Sequence, residues 1–316
     1  ATVTGVSSLN IDAINSIIAS LPGTAKDTAA EIQAVVNAYA KVAAQADGTA
    51  ANGSASALTG AEFAALGLGI IDTPVEISLM NAYLDASAGA AVDTATELSA
   101  LATAVSKLAA TAAVTPPAAT PTPGLTLADL AALGINGATA DNLATIIAFI
   151  ANSANDGTGV DTKTELQALV NAAAAQAIKD AMIAQISLYD GTQSAPTRNN
   201  YADAGITGVD LTNRDIINSI VAQLPPAQTD SAAELQAIVT ASNKIIALAD
   251  GTAANGSASA LTATDTAAIG IGGVDSTAEL ALFNEIIDAS QIGTVDTYAE
   301  LAEIARVVQA IMLTAA

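Results

Sequence analysis

Residues 46–59, ADGTAANGSASALT, recur letter for letter at residues 249–262, an offset of 203 positions. The offset is not local. Residues 6–22 fall on residues 209–225, and the register runs without a gap from about Thr4 to Ala316, which aligns with Ala113. Such a chain is expected to build two closely similar blocks, residues 4–113 and 207–316, because a gapless register leaves no loop-length difference to alter the packing. Repetition on this scale multiplies length or valency, whereas catalysis needs its groups gathered in one place.

A finer period lies inside the large one. In one register the pattern Asp-(Thr/Ser)-x-x-Glu-(Leu/Ile) stands at Asp27, Asp93, Asp161, Asp230 and Asp296, with spacings of 66, 68, 69 and 66 residues. This is the pattern of a helix-capping box. The hydroxyl of Thr28, Thr94, Thr162, Ser231 or Thr297 accepts from the N3 amide, and Glu31, Glu97, Glu165, Glu234 or Glu300 reaches back to the N-cap amide. The aspartate ahead of each box adds negative charge at the helix's positive end. Apolar residues then follow at helical spacing, as at Ile32, Val35, Val36, Tyr39 and Val42. Capping accounts for the spacing, so a set of paired carboxylates serving metal or acid–base chemistry is not needed to explain it.

A second helix is expected before each boxed one, over residues 9–21, 74–86, 140–151, 212–224 and 277–289, each entered through a glycine turn such as Ile206-Thr207-Gly208-Val209. Upstream again stands a short segment opened by Thr59, Thr126, Thr197 or Thr262 and closed by glycine, which reads as one or two capped turns. The predicted fold is therefore all-α, a tandem array of small three-helix repeats of about 67 residues, each a short capped helix and two longer ones. The boundaries are 1–58 (a repeat without its short opening helix), 59–113, 125–190, 191–261 and 262–316, with 114–124 as a Pro/Thr-rich linker. Four of the linker's residues are proline, which favours a semi-rigid polyproline spacer; a spacer of this composition also suits O-glycosylation. The chain opens at Ala1 with no signal-peptide pattern and begins inside a repeat, so a mature form or a segment of a longer array is expected.

Composition narrows the function classes. With 31 acidic and 9 basic residues the net charge is −22, a field that repels nucleic acid and anionic lipid. No apolar run is long and clean enough to span a bilayer. Cysteine and histidine are absent, which removes disulfides, thiolate metal sites, the usual neutral-pH general base and the commonest zinc ligand. The expectation is a protein that is not an enzyme and carries no cofactor.

Calcium is the one cofactor with a candidate. The loops at residues 47–54 and 250–257 offer Asp47 with Asn52 and Asp250 with Asn255, alongside hydroxyls. A calcium loop converges several oxygens, usually more than one carboxylate, and these loops fall short of that. A helix C-terminus followed by a left-handed glycine accounts for them as well. Threonines at caps and in loops form no flat array suited to ice, and the aromatics are too scattered for a stacking platform. Tyr201 and Phe63 share one repeat position and read as core anchors of the short helix. At the start of the chain, Val3, Val6 and Ile11 lack the cover that Tyr201 and Ala202 are expected to give in the fourth repeat. They are the candidate assembly surface, a heterologous contact able to propagate head to tail.

The run Thr-x-x-x-(Tyr/Phe)-Ala-x-x-Gly-Ile-x-Gly-Val, with Val-Asp-Thr-x-x-Glu-Leu-Gln-Ala-(Ile/Leu)-Val downstream, resembles the alanine-rich helical tandem repeats of giant bacterial surface adhesins and of cell-surface layer or matrix proteins. The resemblance covers residues 59–75, 126–170, 197–239 and 262–305. It implies an extracellular location on a bacterial surface and a structural role, as a stalk or as the subunit of a filament or lattice, with no catalytic residues to carry over. Self-association into a head-to-tail homopolymer is the expected partnership. The alternative is an adhesin module that binds a host protein or glycan, or a matrix ligand, through one helical face. That alternative calls for one odd repeat, and the middle one, where the boxed helix runs on through residues 172–188, is the candidate.

Overall fold

Helices start where the local capping chemistry starts them. The computed structural model of the protein describes residues 2–49, 57–112, 124–153, 159–252 and 259–315. In chain order, α1 (Ile11–Ser20) and α2 (Ala29–Gln45) are followed by a short α3 (Gly60–Ala65), α4 (Pro74–Asp85), α5 (Ala95–Ala112), a short α6 (Leu127–Ala132), α7 (Leu143–Ala151) and α8 (Lys163–Ser187). Then come a short α9 (Arg198–Asp203), α10 (Arg214–Val221), α11 (Ala232–Leu248), a short α12 (Ala263–Ala268), α13 (Thr277–Asp288) and α14 (Tyr298–Ala315). Among the described residues the protein is all-helical, with no strand; the extended pairings there are the isolated bridges Asp47–Ala88 and Asp250–Gln291. The helix bounds α2 to α5 recur at α11 to α14 with the 203-residue offset. The linker at residues 114–124 lies, but for Gly124, outside the described residues, as do Asn52 and Asn255.

Three helices begin later than the periodicity alone predicts. In α1, α7 and α10 the N-cap is Asn10, Asn142 or Asn213, and the preceding residues form a turn rather than helix. The asparagine side chain stitches that turn. Asn10 Oδ1 accepts from the Ser7 amide (2.8 Å) while its Nδ2 donates to Gly5 O (2.9 Å). Asn142 and Asn213 make the same pair of bonds around Gly137 and Gly208. Helices α4 and α13 start instead with complete capping boxes, Thr73–Glu76 and Ser276–Glu279.

All four short helices close with one backbone motif. At α3 the Gly67 amide donates to Ala64 O (3.0 Å) and the Leu68 amide to Phe63 O (2.9 Å), the paired bonds of a Schellman end. Gly134, Gly205 and Gly270 repeat it. Glycine is required at Gly67 twice over: its φ is +80°, and an added Cβ would stand 2.9 Å from Leu21 Cδ2. The turn after α3 thus lies tight against the end of α1.

The chain divides into two compact units, residues 1–177 and 178–316, the boundary falling inside α8. Each has its own continuous core. In the first, Ile17, Val42, Phe63, Met80, Leu98 and Leu108 are fully buried; in the second, Ile220, Ile245, Phe283, Ile287, Leu301 and Val308 are. Each such side chain contributes about 1.5–3 kcal/mol by leaving water.

Candidate functional site

The residues singled out by sequence fall into caps, seams between helices, and open faces. All five boxes form. Glu31 N–H donates to Thr28 Oγ1 (3.2 Å) and Thr28 N–H to Glu31 Oε2 (2.9 Å). The reciprocal pairs are present at Thr94–Glu97, Thr162–Glu165, Ser231–Glu234 and Thr297–Glu300. Each of these carboxylates is committed to its own helix start. Three of the aspartates ahead of the boxes, Asp27, Asp93 and Asp296, face a cost the sequence does not show. The Asp27 carboxyl is pushed up by its hydrogen bond to Glu31 and by that residue's charge. Asp93 and Asp296 are raised by desolvation first, then by Glu97 and Glu300.

The seams carry chemistry of long sequence separation. Lysines of the long helices reach the N3 acid of the short helix that follows: Lys41 to Glu62 (2.6 Å), Lys107 to Asp129 (2.8 Å) and Lys244 to Asp265 (2.6 Å). Each acid also caps its short helix through Thr59, Thr126 or Thr262. Burial alone would raise Asp129 and Asp265, but the bonds from lysine and threonine overcome it and hold both below the usual carboxylate range. Glu62 is lowered by Lys41.

A second device is an asparagine clamp. Asn81 of α4 takes the Leu58 amide on Oδ1 (2.7 Å) and gives Nδ2 to Leu58 O (2.9 Å). Asn284 of α13 does the same with Leu261 (2.7 and 3.0 Å). At Asn218 of α10 the clamped residue is Pro196, which has no N–H. Nδ2 still donates to Pro196 O (3.0 Å), and the missing donor is supplied by the Tyr201 hydroxyl on Oδ1 (2.8 Å). Tyr201 and Phe63 are both fully buried on their short helices.

Serine hydroxyls complete the seams. Ser16 of α1 accepts from the Ala95 amide at the start of α5 (3.1 Å), and Ser219 of α10 accepts from the Tyr298 amide at the start of α14 (3.0 Å).

The calcium candidates stand in a different geometry. Asp47 Oδ1 accepts from the Thr49 amide and Asp250 Oδ1 from the Thr252 amide, both at 2.8 Å. The adjoining Gly48 and Gly251 amides donate to Ser87 O and Ser290 O, so each Asp-Gly pins a long-helix end to the end of α4 or α13. Among the described residues there is no group of three or more metal-ligating acids. Among those residues, too, no helix is long and apolar enough to cross a membrane.

Of the assembly candidates, Val3 is half-buried and Val6 and Ile11 are exposed, whereas Ile206 and Val209, at the positions matching Val3 and Val6, are buried. Ala202 is itself exposed, and the residue matching Ile11 is the half-buried Arg214. The sequence reading passed over the Thr73–Glu76 and Ser276–Glu279 boxes, although the four-residue signal is present at both. It also passed over the lysine–acid seams, which only the repeated spacing of Lys41, Lys107 and Lys244 from a capped acid would have shown.

An opening of about 230 Å³ lies beyond the end of α8, lined by Gln185, Leu188, Tyr189, Gln193, Ser194 and Asn200 among others. Leu188 there is largely exposed. No family model, curated protein or solved structure matches this chain.

Proposed function

We propose that this protein is a non-enzymatic structural repeat protein of a bacterial cell surface, a tandem array of three-helix modules of about 67 residues that serves as a stalk or as a subunit of an extracellular filament or lattice. The observation that carries the reading is the recurrence of one seam chemistry. The lysine–acid pair returns at three of the four short helices, the asparagine clamp at α4, α10 and α13, and the serine-to-amide bond at α1 and α10. They commit acids, amides and hydroxyls to holding one helix group on the next, in the manner of an object built by addition. No cofactor has a role in this reading. The test is antibody labelling of intact source cells with serum raised against the folded chain. Labelling before permeabilisation is expected; labelling only afterwards would overturn the reading.

A second reading, an adhesin module for a glycan or a host protein, is favoured by one observation, the opening beside Leu188 and Tyr189 with its amide and hydroxyl lining. Glycan-array binding lost in Tyr189→Ala would support it, and an array with no signal would remove it.

A further inference from the structure

The polar devices at the short helices do not tell one copy from another. The connection into α3 and the connection into α12 are the same fourteen residues, 46–59 and 249–262. Both helices are capped by threonine, and both are tied through an N3 acid to a lysine of the helix before. Leu58 and Leu261, just ahead of them, are clamped by an asparagine of the helix after. As far as these bonds go, α3 would seat beside α13 as readily as beside α4, and α12 beside α4.

The buried side chains differ. Four residues after its capping threonine, each short helix sends one side chain into the core: Phe63, Leu130, Tyr201 and Thr266, none more than 3% exposed. The helix that follows answers with Met80, Ile146, Ile217 and Phe283, all fully buried. In α4, α10 and α13 this residue directly precedes the clamping asparagine, Asn81, Asn218 or Asn284. The Tyr201 hydroxyl donates to Asn218 Oδ1, which sets the first position of the pair beside the neighbour of the second.

Taken in pairs, the residues are exchanged reciprocally. Phe63 goes with Met80 and Thr266 with Phe283, so the ring has moved from the short helix to its follower while the seam keeps one ring. Tyr201 with Ile217 also has one, and Leu130 with Ile146 has none. Thr266 turns its hydroxyl back on its own helix, donating to Ala263 O (3.0 Å). A core packed to crystal density responds to such changes. Phe63 beside Phe283 would bring two rings where one fits, and Thr266 beside Met80 would leave a void. Tyr201 brought to Asn81 or Asn284 would meet an Oδ1 already engaged by the Leu58 or Leu261 amide.

We propose that this pair of positions is the address by which each short helix docks on its own neighbour, and that it keeps near-identical segments from exchanging helices. Exchange of like elements is a characteristic misassembly of repetitive chains. Where the attractive contacts are shared, mismatch against the wrong partner supplies the discrimination. The address concerns how the chain pairs its own helices and holds wherever the protein resides, so surface labelling of intact cells tests a separate claim.

The test uses the full chain and two recodings. Phe63→Thr with Met80→Phe gives α3 and α4 the pair of α12 and α13; Thr266→Phe with Phe283→Met does the reverse, and serves if one set of singles fails to fold. In urea unfolding each single substitution is expected to lower the midpoint, and each double to lie closer to the parent than either of its singles. Effects that simply add, or doubles that do not fold, overturn the shared site. The second readout is refolding by dilution from urea, followed by size-exclusion chromatography. With two seams made alike, each double is expected to lose part of the parent's native peak to misassembled species, although its equilibrium stability is close to the parent's. Doubles that recover the native peak in the parent's proportion overturn the address.

Discussion

Tyr201→Phe tests the asparagine clamp at its most exacting point. The substitution removes one oxygen and leaves the ring in its buried place. Asn218 Oδ1 then loses its donor, and Pro196 has no N–H to replace it. Tyr201 is fully buried and Asn218 nearly so, and burial has already pushed the Tyr201 hydroxyl's pKa up, a sign of how little water reaches it. Leaving one buried acceptor unmet costs about 1–3 kcal/mol. For a cooperative unit of this size that is a fall in melting temperature of about 2–4 °C per kcal/mol. Another copy of the position supplies the control. Where Leu58 stands in place of Pro196, Phe63 stands in place of Tyr201, and the Leu58 amide meets Asn81 directly. Pro196→Leu in the Tyr201→Phe background therefore restores a backbone donor and is expected to recover most of the loss. Urea unfolding of parent, both singles and the double variant gives the coupling energy. A Tyr201→Phe cost below about 0.5 kcal/mol, under the range for an unmet buried acceptor, or a double variant no more stable than Tyr201→Phe, would refute the reasoning.

Other outcomes follow from the caps, seams and loops. Thr162→Ala should cost about 1 kcal/mol by removing an N-cap acceptor, read as a lower urea midpoint; no change would mean the box at α8 is ornamental. The Lys107–Asp129 seam sets a pH dependence. Asp129 is lowered in the folded state, so its contribution is present above the unfolded carboxylate value of about 3.9 and is lost as pH falls through the lower folded value. Lys107→Met should flatten that acid limb, and an unchanged stability–pH curve would dissociate the pair from stability. Asp93 runs the opposite way. Its folded pKa is raised, so its charge weakens the fold above that value, and Asp93→Asn should raise stability near neutrality with the difference vanishing in acid. For the Asp47 and Asp250 loops, chelation should leave the melting temperature unchanged; calorimetric calcium binding abolished by Asp47→Ala would reverse that expectation.

What sequence made legible was the chemistry that closes within four residues. Thr28 and Glu31 meet because they are one helical turn apart, so their spacing is visible without any fold, and the same holds for the Schellman glycines at Gly67 and Gly270. The starts of α1, α7 and α10 were placed two or three residues early because periodicity continues through 7–10, 139–142 and 210–213, while the asparagine at the end of each run ties it into a turn. The seams needed more. Lys107 and Asp129 meet only because α6 folds back on α5, and periodicity carries no record of which helix a face will meet.

Eight of the nine cationic residues lie within helices: Lys41, Lys107, Lys163, Lys179, Arg198, Arg214, Lys244 and Arg306. Only Lys26 falls between them, and its ammonium is tied back to Ile18 O (2.7 Å). Proteases that cut after basic residues need several residues of extended backbone, which a packed helix withholds. The sequence of the long proline-rich stretch and of both Asp-Gly loops contains no lysine or arginine at all. Confining nearly every basic residue to helices therefore leaves a trypsin-like enzyme few cutting positions between them. For such an enzyme the first cut on the folded chain should come at a single bond, after Lys26.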